Sequence, residues 1–287
     1  MRTAKILTFT SHDGAVLHYR HWPAKAPSGR SLVLFHRGHE HGGRLQHLAD
    51  EMNLPDFDIF AWDAREHGLN EGPRGIAPDF GYFVRDAECF RVHVQTVHNI
   101  AAEDTVVVAQ CVGAVIAAAW VHEYAPKLRG LVLASPAFSV KMHVPGAVQG
   151  LKLLKALRGN FPVYSSVKSK LLTKDVERQH SYDTDPLITR STAVNILLEH
   201  HDVAARVVAD AGAIQVPTMV LVSGKDYVVR EAPQREFFER LGAATKQYMR
   251  LPGFYHDTLG EKGRERALYE LRNFVEERFA QPMWARR

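Results

Sequence analysis

Short apolar runs bounded by turn residues alternate along the chain with stretches of helical spacing. Residues 6–9 and Val16–Trp22 read as a hairpin, with Asp13-Gly14 between them as the turn signal. Residues 32–36 form a short run ending in a glycine-rich loop. Phe57–Trp62 is another, followed by a second loop over 63–78. Residues 79–99 have helical spacing, 105–109 are a β-branched run, and 112–124 read as a helix. Residues 128–134 are again strand-like and are stopped by Ser135-Pro136. Later come the strand Thr218–Ser223, a helix over 230–241, the strand Lys246–Leu251 and a final helix over 264–279. Buried runs alternating with helices predict an α/β fold: a mostly parallel sheet covered on both faces, with the leading hairpin adding antiparallel strands at one edge. Residues 137–212 break the alternation with three helical stretches and no convincing strand. They read as a helical cap inserted into a core made of 1–136 and 213–287.

At 287 residues, 46% hydrophobic and 24% charged, the chain can bury a sizeable core, which excludes disordered, collagen-like and low-complexity architectures. The net charge of +4 is too mild to argue for nucleic acid, and no nucleic-acid motif stands behind it. Two cysteines, Cys89 and Cys111, cannot build a disulfide framework, so a reducing cytoplasm is the expected location. The first ten residues hold no apolar signal-peptide core. The seventeen uncharged residues 105–121, interrupted by Gln110 and Gly113, fit a buried strand turning into a buried helix better than a membrane span.

Charge is uneven in the cap region. Between Tyr124 and Lys174 lie nine basic residues and no acidic one, interleaved with the amphipathic stretch 148–157. The preferred reading is a helix that packs its leucines on the core and solvates its lysines. The alternatives are peripheral contact with anionic lipid or attraction of an anionic substrate.

The strongest chemical signal is the segment Val106-Val-Val-Ala-Gln-Cys111-Val-Gly113. A strand ends, the chain turns through small-x-nucleophile-x-Gly, and a helix begins, which is the layout of a nucleophile elbow with Ala109 and Cys111 replacing glycine and serine. Such a turn forces the nucleophile into strained backbone geometry, so its neighbours two before and two after must be small. The helix dipole behind it favours an anionic nucleophile. Asp226 follows the strand Thr218–Ser223, and His256 follows the strand Lys246–Leu251 on the loop Pro252-Gly-Phe-Tyr-His256-Asp257. Nucleophile, acid and histidine thus come in the α/β-hydrolase order, each past a strand end. The loop His36-Arg37-Gly38-His39-Glu40-His41-Gly42-Gly43-Arg44 would supply an oxyanion donor from Gly38, beside that from Val112. A metal site built from His36, His39, Glu40 and His41 is the competing reading, without any established metal-ligand spacing behind it.

These motifs together resemble the monoacylglycerol lipase and lysophospholipase group of the α/β-hydrolases, over nearly the whole chain outside the cap. That group carries His-Gly-small-Gly-Glu-His-Ser-Gly-Arg where residues 36–44 stand, with Arg37, His39 and Gly42 as departures. Its next loop, Asp-x-x-Gly-His-Gly-x-Ser-x-Gly, corresponds to residues 63–72, with Glu66 and Asn70 as departures. The resemblance implies Cys111 as nucleophile, His256 as general base, Asp226 as its orienting acid, and Gly38 and Val112 as the oxyanion hole. It implies no metal and no cofactor. Arg37 replaces a glycine beside the hole, where it would bind a negatively charged head group or pair with Glu66.

The implied activity is carboxyl-ester hydrolysis of a single-chain acyl lipid through an acyl-enzyme. Cysteine in the serine position leaves two explanations open: a substituted serine hydrolase, or a native thiol enzyme of the acyltransferase or thioesterase kind. A third reading, a non-catalytic binding module, is permitted by Arg37, Glu66 and Cys111 but opposed by the intact Asp226 and His256.

Overall fold

The computed structural model describes residues 1–72, 75–141 and 146–284. Ten strands and eight α-helices follow in the order β1 (Lys5–Thr10), β2 (Val16–Trp22), β3 (Arg30–Phe35), α1 (Gln46–Glu51), β4 (Phe57–Trp62), α2 (Gly81–His98), β5 (Thr105–Gln110), α3 (Cys111–Tyr124) and β6 (Gly130–Ala134). They continue with α4 (Ala147–Arg158), β7 (Pro162–Tyr164), α5 (Val176–Thr184), β8 (Ser191–Ala193), α6 (Val194–Ala209), β9 (Thr218–Ser223), α7 (Glu231–Arg240), β10 (Lys246–Leu251) and α8 (Glu265–Ala280).

Eight strands form one sheet in the order β1-β2-β4-β3-β5-β6-β9-β10. The β1–β2 and β2–β4 pairs are antiparallel, and every pair from β4 onward is parallel. Alternation along β3 divides the core. Val33 and Phe35 join α2, α3, α6 and α7 on one face, while Leu32 and Leu34 join α1 and α8 on the other. Both faces of the central strands are therefore apolar, as a sheet sandwiched between helix layers requires. The uncharged run at 105–121 becomes β5 and most of α3, a helix buried nearly all round. Among the described residues no helix is long and apolar enough to cross a membrane.

Between β6 and β9 the described residues form three helices, α4 to α6, with a short ribbon of β7 paired antiparallel to β8. That ribbon corrects the expectation of no strand there. Three-residue strands carry too little alternation to be read from sequence. The last of these helices, α6, packs against α3 and α7 of the main helix layer. A second correction concerns α4. No residue of it is buried, and Leu153, Leu154 and Leu157 are exposed, Leu157 at 74%, so its leucines do not pack on the core.

Candidate active site

The elbow forms where β5 runs into α3. Register pairs Ala109 with Phe35 and Gln110 with Ala134, so the chain is held on both sides until one residue before the turn. Cys111 then takes a left-handed φ of 54°, a conformation costing about 1–3 kcal/mol for a residue with a Cβ. Its helix begins immediately, and the side chain is 8% exposed. Gly113 is required by space: a Cβ there would lie 2.3 Å from the carbonyl oxygen of His36. That closeness seats α3 against the end of β3 and brings the following loop over the elbow.

Gly38 lies on this loop with room for nothing larger, since its Cβ would meet Val112 Cγ2 at 2.9 Å. Val112 is the second residue of α3, so its N–H has no intrahelical acceptor. His36 sets the direction of the neighbouring peptide. Its Nε2 accepts from the Ala64 N–H at 2.9 Å, which leaves the proton on Nδ1, and Nδ1 donates to the Arg37 carbonyl at 2.7 Å. Burial pushes the His36 pKa down, consistent with this neutral ring. Because the Arg37 carbonyl and the Gly38 N–H belong to one planar peptide, fixing the first fixes the second.

Across the site, His256 Nδ1 donates to Asp226 Oδ2 at 2.8 Å. Asp226 Oδ1 accepts from the N–H groups of Val228 and Val229 at 2.7 and 2.9 Å. Burial works to raise the Asp226 pKa, but the charge and hydrogen bond of His256, with those two N–H groups, outweigh it and hold the carboxylate ionised. Burial likewise works against charge on His256. The Asp226 carboxylate on one side and Cys111 on the other overcome it and raise the imidazole to about 10. The remaining ring nitrogen, Nε2, is buried without a conventional hydrogen bond among the described residues.

Arg37 is corrected by the structure. It neither pairs with Glu66 nor stands open to a head group. Its side chain is 4% exposed, with Nε and Nη2 on Glu40 at 3.0 and 2.7 Å and Nη2 also 3.4 Å from Asp257. Asp257, the residue after His256, accepts from Arg178 of α5 at 2.9 Å. Arg44 bonds Glu40 at 2.9 Å and reaches Asp185 at 3.3 Å, and His41 also reaches Asp185, at 3.0 Å. One buried ion-pair network therefore joins the loop after β3, the loop carrying His256 and the segment between β6 and β9. A buried cation recruits carboxylates because its desolvation is otherwise uncompensated. Asp257 and Arg178 were not assigned roles from sequence. The signal was an arginine in a glycine position, which demanded a carboxylate partner elsewhere.

The four residues weighed as metal ligands have separate engagements. His36 bonds backbone, Glu40 two arginines, and His41 Asp185, while His39 is held neutral with its pKa lowered to about 4, chiefly by burial. No group of metal-ligating side chains occurs among the described residues. Asn70, standing where the related group has serine, donates to the carbonyls of Asp63 and Ala64 and accepts from the His18 N–H, tying this loop to β2.

The family model described as serine aminopeptidase, S33 (Hydrolase_4) matches residues 26–263. The chain belongs to this family of α/β-hydrolases. The chain is 50% identical over 273 residues to the protein YnbC of Escherichia coli, covering 95% of this chain and 47% of that one. It thus spans about half the length of that relative. A monoacylglycerol lipase of Mycolicibacterium smegmatis is 25% identical over 275 residues, covering 93% and 95% of the two chains. In fold, the chain superposes on the monoacylglycerol lipase of Paleococcus ferrophilus with a TM-score of 0.81, at 21% identity over 91% of this chain and 99% of that one. A soluble variant of the Saccharomyces cerevisiae monoglyceride lipase in complex with a substrate analog gives a TM-score of 0.83, at 15% identity over 97% and 95%.

Proposed function

We propose that this chain is a carboxylic ester hydrolase acting on a single-chain acyl lipid, with Cys111, His256 and Asp226 as its triad. The observation that carries the reading is Cys111 at a left-handed elbow, facing a histidine that Asp226 orients and whose pKa stands near 10. Proton transfer from Cys111 to His256 makes the thiolate nucleophile. The sulfur attacks the ester carbonyl, and the N–H groups of Gly38 and Val112 stabilise the resulting oxyanion. As the carbon–oxygen bond breaks, His256 gives its proton to the leaving alcohol, leaving a thioester on Cys111. His256 then takes a proton from water, the hydroxide adds to the thioester, and collapse releases the acid and the Cys111 sulfur, which recovers its proton from His256.

A pocket of about 590 Å³ lies between α4, α6 and the loop after β6, with Phe138, Val140, Val148 and Leu197 in its walls. Ala137, also in its wall, bonds the Cys111 carbonyl at 3.1 Å, so the pocket adjoins the elbow. Its size and apolar walls suit an acyl chain. The exposed leucines of α4, with Lys155 and Arg158 beside them, suit peripheral contact with an anionic membrane.

The test pairs this chain with its Cys111→Ser form on a long-chain monoacylglycerol and a lysophospholipid, recording product release and intact mass. Turnover by the given chain, with one acyl mass on Cys111, supports a thiol hydrolase. Turnover by the serine form alone makes Cys111 a substitution in a serine hydrolase. Acyl release by neither sinks the reading.

A further inference from the structure

Three lysines from three separate segments converge where the acid and base loops meet the surface. Lys225 precedes Asp226, Lys174 lies between β7 and α5, and Lys141 follows β6. Two tyrosines complete the cluster: Tyr227 directly after the acid and Tyr255 directly before the histidine. Their rings meet edge to face at 4.9 Å. Lys225 Nζ lies 5.8 and 5.6 Å from the centroids of Tyr227 and Tyr255, and Lys174 Nζ lies 5.6 Å from that of Tyr255. Lys141 Nζ donates to the Asp226 backbone carbonyl, and its charge also acts on Tyr227.

None of these three lysines enters an ion pair among the described residues, so their charge is met by the tyrosine rings, the Asp226 carbonyl and solvent. Glu261, the nearby acid, is fully buried and hydrogen-bonded within the fold. It accepts from Thr173 Oγ1 and from the N–H groups of Lys174, Tyr255 and Lys262. Several like charges held together at the surface favour a multiply charged anion, and ammonium groups with phenol hydroxyls are suitable donors for phosphate oxygens.

We infer that Lys141, Lys174 and Lys225, with Tyr227 and Tyr255, form a site for the phosphate of a single-chain phospholipid whose ester lies at Cys111. Lysophospholipids carrying an anionic phosphate are then favoured over neutral monoacylglycerols. The inference takes its chemistry from the ester-hydrolase reading but concerns a separate group of residues, and binding tests it independently of turnover.

The probe is a short 1-O-alkyl glycerol 3-phosphate, an ether that cannot be hydrolysed, used below its micellar concentration. Calorimetry compares it with the neutral 1-O-alkyl glycerol, glycerol 3-phosphate and inorganic phosphate. The phosphorylated ether is expected to bind at least tenfold tighter than the neutral one, and Lys174→Gln with Lys225→Gln should erase most of that ratio. Equal affinities, or a ratio that survives the substitutions, overturn the inference. Inorganic phosphate binding as tightly as the ether overturns its lipid part. Loss of binding to phosphatidylglycerol vesicles with the ether ratio intact also overturns it, making the lysines a membrane contact. In a parallel assay on the 1-acyl counterparts, a preserved binding ratio without acyl release sinks the hydrolase reading alone, whereas release without a ratio sinks this one alone.

Discussion

Replacing Asp257 by asparagine tests whether the buried ion-pair network holds the site together. The carboxylate is 1% exposed and lies 2.9 Å from Arg178 Nε and 3.4 Å from Arg37 Nη2. At an effective dielectric of 20, each pair carries roughly 5 kcal/mol of attraction, much of which desolvation cancels. Removing one partner is costlier than the pair's net worth, because the opposing guanidiniums stay buried without their counterion. Breaking a buried pair costs about 3–5 kcal/mol. Arg37 keeps Glu40 and Arg178 retains an edge to solvent, which puts Asp257→Asn at the low end of that range. Urea unfolding of Asp257→Asn, Arg37→Met and the double variant reads the coupling directly. The double variant should lose less than the sum of the singles, by about 1–3 kcal/mol. The sign with pH follows. The arginines hold the Asp257 carboxyl below its ordinary range against burial, so its contribution is complete above the unfolded value near 4 and is lost as pH falls through the folded one. Asp257→Asn should therefore flatten the acid limb of the stability curve. A loss below about 1 kcal/mol with additive doubles would refute the reasoning.

Further outcomes follow from the same geometry. Gly113→Ala should lower kcat at least tenfold while leaving the fold intact, because its Cβ meets the His36 carbonyl and displaces the loop carrying Gly38; ester kinetics with circular dichroism check it. The His256 pKa, raised to about 10, contributes stability that is complete below the ordinary 6.5 and lost as pH rises through about 10. Melting temperature should fall across that window, and the fall should be absent in His256→Asn. Cys111→Ser removes one of the groups that raise the histidine, so its titration, followed by ring NMR signals, should move toward lower pH. Leu153→Asp with Leu157→Asp should weaken flotation with anionic vesicles at least tenfold without changing hydrolysis of a water-soluble ester.

Local pattern carried most of the fold. The β-branched run before Cys111, the alternation of the first hairpin and the helical spacing after residue 79 needed no partner to be read, because periodicity reports which face will be buried. The grouping of Cys111, Asp226 and His256 was legible for a related reason: strand ends in a parallel sheet gather at one edge, so three residues after three strands could be placed together. The β7–β8 ribbon escaped, being too short to carry a period. What α4 does with its leucines was not legible either, since an amphipathic stripe looks the same whether or not a surface covers it. The chemistry of Arg37 was decided by distance alone. Its carboxylates stand three residues away in Glu40 and 220 residues away in Asp257, and only the assembled sheet brings the second to 3.4 Å. Sequence determined which residues could be catalytic, because strand, turn and helix signals are local. Tertiary structure alone decided which charges are buried and which are left uncompensated, because desolvation and Coulomb attraction depend on neighbours that the chain supplies from far away.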